Sequence, residues 1–381
     1  MPTALTLIDC LSDLPDPRVE NTRRHLLTDI LVIAICAFLC GAEGWDDIVE
    51  FAHAKRDWLQ ERLELPGGIP CADTFRRVLS RLDPDAFGNA FIAWIQAVQQ
   101  TAPKGRGPKT ISVDGKTLRH SFDTAAEKSA IHMVSAWASG LRLVLGQVKV
   151  DDKSNEITAV PALLALLDLG GCIVTADAMS CQKAIAAQIV GQGGDYMLAL
   201  KDNQPHLLED ATLLFEHTLE HRHEETPVFY TESVEKGHGR IETRRLWQID
   251  LCDLEGRWDD VRSEWVGLTS LVRVERLRQM GEKTTQEVHY YISSLSGDAR
   301  KAARAVRQHW GIENSVHWVL DVTFNEDACR IRKDNGAQNL AVIRHIALNL
   351  LRAESSHKRG IKARKKRAGW DNDYLTQLLT N

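Results

Sequence analysis

The sequence predicts an α/β protein: a mixed β-sheet with a β-rich insertion, preceded by an all-helical N-terminal domain. Three observations predict it. Residues 1–100 carry apolar side chains at helical spacing. From residue 110 the pattern changes to short apolar runs in the order β-β-β-α-β-α-β. Two of those runs, Ile111 to Val113 and Cys172 to Ala176, lead directly into an aspartate, Asp114 and Asp177. A carboxylate at the edge of a buried strand is costly unless a cation, a hydrogen-bond network or a proton offsets it.

The 381 residues suffice for two or three domains, and 44% hydrophobic with 26% charged residues describes a soluble globular protein. The longest apolar run, Ile30 to Cys40, is too short to span a bilayer, and no signal peptide is evident. The eight cysteines form no Cys-x-x-Cys pair, which argues against a zinc ribbon or thioredoxin-like motif and suits free thiols in a reducing cytoplasm. The net charge of −5 excludes uniform basicity, but His357 to Trp370 holds seven Lys/Arg and no acid. That local patch, in a basic tail over 354–381, reads either as a solvated end or as a nucleic-acid contact.

In chain order, Leu26 to Gly41 is an apolar helix and Trp45 to Arg62 a second. After the turn Gly67-Gly68-Ile69-Pro70, Asp73 is a candidate N-cap for a helix over Thr74 to Leu82. That helix carries Arg76, Arg77 and Arg81, either as the second helix of a helix-turn-helix or as the wet face of a small bundle. Asp85 to Gln100 closes the block, and Thr101 to Pro108 has the composition of a linker.

The strand at Ile111 is followed by Ile131 to Ala138 and Leu141 to Val150, joined at Ser139-Gly140. A helix (Glu156 to Leu169), a strand ending at Asp177, a helix (Gln182 to Val190) and a strand (Tyr196 to Leu200) follow. Three antiparallel strands followed by parallel ones are the signature of an RNase H-like mixed sheet. There the first and fourth strands are central neighbours, which would set Asp114 beside Asp177. Residues 206–295 interrupt this pattern with a helix and four strand candidates, either a β-rich insertion or a separate β domain. Helices at Ala299 to Asp321, bearing Glu313, and Asn335 to Arg352, apolar on one side and suited to covering the sheet, complete a domain over 109–353.

Two aspartates at adjacent strand ends plus a glutamate from a packed helix can hold two divalent cations. Mg²⁺ takes oxygen ligands and keeps waters, so few carboxylates suffice. Such a pair activates a water or a 3′-hydroxyl and stabilises the leaving oxygen of a phosphoryl displacement. Singly, each acid has a plainer reading: Asp114 as a turn residue, Asp177 as a helix cap, Glu313 as one polar face of a helix. Their joint placement is the specific signal.

The chain resembles bacterial insertion-sequence transposases of the DDE type, in the ISAs-type branch that includes H-repeat-associated proteins. The matching stretches are Asp16-Pro-Arg18, Asn21 to His25, Ile33 to Glu43, Asp73-Thr-Phe75, Val113-Asp-Gly-Lys116, Thr175-Ala-Asp-Ala178 with Gln182, Lys201-Asp-Asn-Gln-Pro205, His309-Trp-Gly-Ile-Glu-Asn314, Leu320 to Asp327 and Asn339 to His345. The resemblance implies a helical DNA-binding domain over 1–100 and an RNase H-like catalytic domain. It implies Asp114, Asp177 and Glu313 as catalytic metal ligands for Mg²⁺, with Mn²⁺ as a substitute. Double-stranded DNA, both terminal inverted repeats and target, is the implied partner. A homodimer or larger assembly on DNA is implied as well, in the bacterial cytoplasm and associated with the nucleoid.

The wider clan carries Tyr-x₂-Arg-x₃-Glu-x₆-Lys around the last acid. Here those positions are Val306, His309, Glu313 and Leu320, so hairpin chemistry is not implied. Arg307 or His309 would take over part of the phosphate contact. Lys116, Arg119, Lys201, Asn203 and Gln204, near the strand ends, suit phosphate and sugar contacts or simply polar loops, and Arg76 and Arg77 suit the DNA-binding helices. The expected function is metal-dependent cleavage and strand transfer at insertion-sequence ends. The alternatives are a metal-dependent nuclease without integration, and an inert DNA-binding descendant.

Overall fold

A computed structural model describes residues 5–101, 110–122, 128–151, 155–220, 226–237, 239–254 and 256–380. Most of the expected linker and His238 of the turn at 237–239 lie outside the described residues. The chain divides into two compact units. One holds Met1–Gly107, Gly115–Lys153 and Glu313–Asn381; the other holds Pro108–Asp114 and Ser154–Ile312.

The N-terminal helices are α1 (Leu7–Ser12), α2 (Leu27–Cys40), α3 (Trp45–Ala54), α4 (Arg56–Gln60), α5 (Ala72–Arg81) and α6 (Pro84–Thr101). Strand β1 (Thr110–Thr117) gives Thr110–Asp114 to the second unit and its last three residues to the first. The hairpin β2 (His132–Ala138) and β3 (Leu143–Lys149) follows. The second unit continues with α7 (Glu156–Ala165), β4 (Ile173–Ala176), α8 (Lys183–Gly191), β5 (Asp195–Leu200) and α9 (Pro205–Glu220). Next come β6 (Val228–Gly237), β7 (Arg240–Asp250), α10 (Arg257–Glu264), β8 (Ser270–Met280), β9 (Lys283–Ser293) and α11 (Ala299–His309). A π-helical turn, Glu313–His317, precedes α12 (Trp318–Phe324), α13 (Gly336–Ala353), α14 (Ile361–Trp370) and α15 (Asn372–Thr380).

In the second unit the strand order is β1-β4-β5-β9-β8-β7-β6. β1, β4 and β5 are parallel; β9 joins β5 antiparallel, with Met197 opposite Ser293. The strands expected as an insertion or a separate β domain therefore extend the sheet that carries β1. Helix α11 buries Ala302, Ala305 and Val306 with Leu246, Val272 and Tyr291 of that sheet. In the first unit the order is β3-β2-β1.

The first unit is organised on α2 and α13. α2 is buried from Ile30 through Leu39, which its unbroken apolar sequence requires. α13 is buried on all sides, where one apolar face was expected. Its two asparagines bond to backbone of neighbouring elements: Asn339 donates to the carbonyls of Leu79 (2.8 Å) and Leu82 (3.0 Å). Asn349 exchanges hydrogen bonds with the Val144 backbone at 2.8 and 2.9 Å. A buried amide costs little when both its ends are paired. The basic C-terminal run is no solvated end either: α14 and α15 bury Ala368, Tyr374, Leu375 and Leu378. Three further local expectations change. The N-cap of α5 is Cys71, not Asp73. The helix expected over 45–62 breaks into α3 and α4, and the one over 299–321 breaks before the π-turn.

Candidate active site

In the second unit, β1 and β4 lie parallel with Val113 opposite Ala176. Both strands run the same way, so the next residues are Asp114, which lies inside β1 rather than at its end as expected, and Asp177, just past the end of β4. Buried Ile111, Val113, Val174 and Ala176 hold the two strands in the core and fix this register. Both aspartates are half-buried.

Asp177 also caps the turn Ala178–Ser180, as the plainer reading of it anticipated. The Ser180 N–H and hydroxyl both donate to its Oδ1 at 3.3 Å. Burial pushes its carboxyl above the usual range and the Glu156 charge adds to this; the Ser180 bonds and the Lys201 charge offset only part. The loop after Asp177 is tied from β5's far end. Asn203 donates to the Ala178 carbonyl, and Gln204 Nε2 to the Cys181 carbonyl at 3.0 Å. These two amides hold the loop that carries Asp177, while Lys201, exposed, supplies charge toward it.

The C-terminal end of α11 is anchored on the same two strands. Ser112 Oγ donates to the Gln308 carbonyl at 3.1 Å, and Thr175 Oγ1 lies 3.2 Å from His309 Nδ1. Desolvation lowers the His309 imidazole to about 4, so it is neutral at physiological pH. Arg307 pairs with Glu235 of β6. Glu313 follows four residues after His309, as the first residue of the π-turn in the other unit.

In that unit, His317 Nδ1 lies 3.0 Å from Glu313 Oε2, with the imidazole side chain 5% exposed. Sequence reasoning missed His317. The signal was available as Glu-x₃-His, which shares a helix face as His-x₃-His does.

Lys116 is not a surface cation. Its ammonium binds Asp321, Glu326 at 2.9 Å and Asp327 at 3.3 Å, and its side chain is 11% exposed. The expected phosphate contact does not describe a group so engaged. Arg119 is exposed, 3.3 Å from Asp327. Arg76 and Arg77 both pair with Asp73, Arg77 at 2.8 Å.

The family profile described as Transposase DDE domain matches residues 105–350, and that described as DDE_Tnp_1-associated matches 8–95. "H repeat-associated putative transposase YhhI" of Escherichia coli (strain K12) is 40% identical over 378 residues, covering 98% of this chain and 97% of that protein. "Putative transposase YncI" of Escherichia coli O157:H7 is 40% identical over 389 residues, covering 99% of this chain and 95% of that protein. Among solved structures, a piggyBac transposase synaptic complex with hairpin DNA aligns over 98% of this chain and 79% of that one, at 11% identity and a TM-score of 0.43. With a profile matching well over half of its length and relatives matching nearly all of it, the chain belongs to the family of the transposase DDE domain.

Proposed function

We propose that this protein is a DNA transposase that binds the ends of an insertion sequence, cleaves a DNA strand and transfers it, with Asp114, Asp177 and Glu313 as its metal-holding acids. The observation that carries the proposal is the β1–β4 register, with Asp114 and Asp177 following Val113 and Ala176. The parallel order β1-β4-β5 in the second unit and the order β3-β2-β1 in the first each support an RNase H-like core, and β6 to β9 extend the former.

The donor set fits Mg²⁺ or Mn²⁺. It is made of carboxylate oxygens, and the negative charge of Asp177 is only partly compensated by protein groups. Bound there, such an ion supplies an activated water or 3′-hydroxyl and neutralises charge on the leaving oxygen. The chain's own residues do the positioning. Asn203 and Gln204 hold the loop behind Asp177, Ser112 and Thr175 hold the end of α11, and His317 orients the Glu313 carboxylate. Duplex DNA, as terminal repeats and target, is the substrate, and joining two ends requires at least two protomers.

The test is incubation with Mg²⁺ or Mn²⁺, a labelled duplex carrying the element's terminal repeat and a target plasmid, with Asp177→Ala as control. Cleaved and joined products, both lost in the variant, are expected. Cleavage without joining indicates a nuclease; binding without cleavage, identical in the variant, indicates an inert DNA-binding descendant.

A further inference from the structure

The seven cations between His357 and Trp370 divide into two sets. Three are used inside the first unit. Arg364 donates to the Leu351 carbonyl at 2.8 Å and to that of Glu354, capping the C-terminal end of α13. Lys365 donates to the Thr323 carbonyl at 2.9 Å and sits 4.5 Å from the centre of the Phe324 ring. Arg367 pairs with Asp371 at 3.2 Å and stacks over Tyr374. The other four, Lys358, Arg359, Lys362 and Lys366, are exposed and engage in no ion pair among the described residues.

Lys362, Lys366 and Trp370 recur every fourth residue, so they form one outward stripe along α14. Trp370 is 79% exposed. No acid occurs between Glu354 and Asp371. Like charges at i,i+4 weaken a helix, so this stripe works against the stability of α14. The inner face explains the fold of α14; the outer face calls for an anionic partner.

We infer that the outer face of α14, with the segment leading into it, is a DNA-backbone contact: Lys358 and Arg359 of that segment and Lys362 and Lys366 of the helix meet phosphates, and Trp370 meets the sugar-base edge beyond them. The inference rests on the transposase reading, and adds a surface that the three acids do not define. From Lys362 to Trp370 the stripe rises ~12 Å, against a phosphate rise of ~3.4 Å per strand, which matches three to four phosphates.

The test is a salt titration of binding to a fluorescein-labelled duplex, using the full-length protein and the variant K358Q/R359Q/K362Q/K366Q. All four sites are exposed and Lys362 repels Lys366, so the variant should be no less stable than wild type in urea unfolding. Each phosphate contact contributes a slope of ~0.9 in log K against log salt, so the variant's slope should be shallower by about 3 to 4. W370A should lose about tenfold in affinity, within the range for removal of one aromatic contact to nucleic acid. An unchanged slope in the quadruple variant, with wild type binding normally, overturns this inference alone. Failure of wild type to bind any duplex overturns it together with the transposase reading.

Discussion

Replacing Lys116 with Met separates a structural lysine from a DNA-contacting one. Its ammonium neutralises Glu326, which is 3% exposed and also faces Arg344, at 3.6 Å, and His345. Removing one partner of a buried ion pair costs about 3–5 kcal/mol, because the remaining charge stays desolvated. Asp321 and Asp327, with side chains 31% and 25% exposed, can rehydrate, and Arg344 keeps part of the Glu326 interaction, so the low end, about 3 kcal/mol, applies. The pH dependence follows from Glu326. Burial alone would raise its pKa, but Lys116, Arg344 and His345 outweigh that and hold it below 4.5. A depressed carboxylate stabilises the fold above its unfolded pKa, and that contribution is lost as pH falls through the folded pKa. The deficit of K116M should therefore be full near pH 7 and shrink below pH 4.5. The assay is urea unfolding followed by tryptophan fluorescence at pH 7 and at pH 4, with the m-value checked for constancy. A loss under 1 kcal/mol at pH 7, accompanied by a DNA-binding salt slope shallower by about one, would refute the argument and make Lys116 the phosphate contact its position suggests.

Two further outcomes follow from the same geometry. The double variant N203A/Q204A should leave DNA affinity unchanged and raise the Mg²⁺ concentration needed for half-maximal cleavage several-fold, since each lost bond is worth about 1 kcal/mol of order in the loop behind Asp177; a metal titration of cleavage checks this. His345 is 3% exposed in α13 and desolvation lowers its pKa to about 4, with Glu326, His317, Lys116 and Arg344 as its charged neighbours. The unfolded chain binds this proton from about pH 6.5 downward and the folded chain only near pH 4, so stability should fall through that window by up to roughly 3 kcal/mol. H345L should flatten that slope in urea unfolding.

The matched positions of Asp114 and Asp177 were legible because parallel strands impose their own logic: apolar runs that lead into an acid can bring the acids together only in one register. Other features depend on partners far away in sequence. Lys116 stands next to the first aspartate, yet its partners lie some two hundred residues on, at Asp321, Glu326 and Asp327. No local pattern distinguishes such a lysine from a phosphate ligand. Asn203 and Gln204 posed the same ambiguity, because an amide beside a strand end serves a backbone carbonyl as readily as a nucleic acid. α13 looked one-sided because Asn339, Arg344, His345 and Asn349 punctuate it, but each of these is buried. In the basic run, counting charge concealed the spacing of Ala368, Tyr374, Leu375 and Leu378, which is what folds the C-terminal helices.

The π-turn is the feature that composition could least reveal, since it differs from an α-helical turn by one residue rather than by residue type. It occupies the segment from Glu313 to His317, within the unit that also holds α12. Removing its extra residue would rotate everything after it by about 100° about the helix axis relative to Glu313. Leu320 and Phe324 would leave the core, and Asp321 would leave Lys116. The turn therefore reconciles two demands on one helical segment: a glutamate exposed with His317 beside it, and a following helix whose apolar and acidic positions are fixed by the core and by Lys116. π-Turns are found preferentially at functional sites. Here the reason is specific: an ordinary α-helix could satisfy the packing of α12 or the presentation of Glu313, but not both.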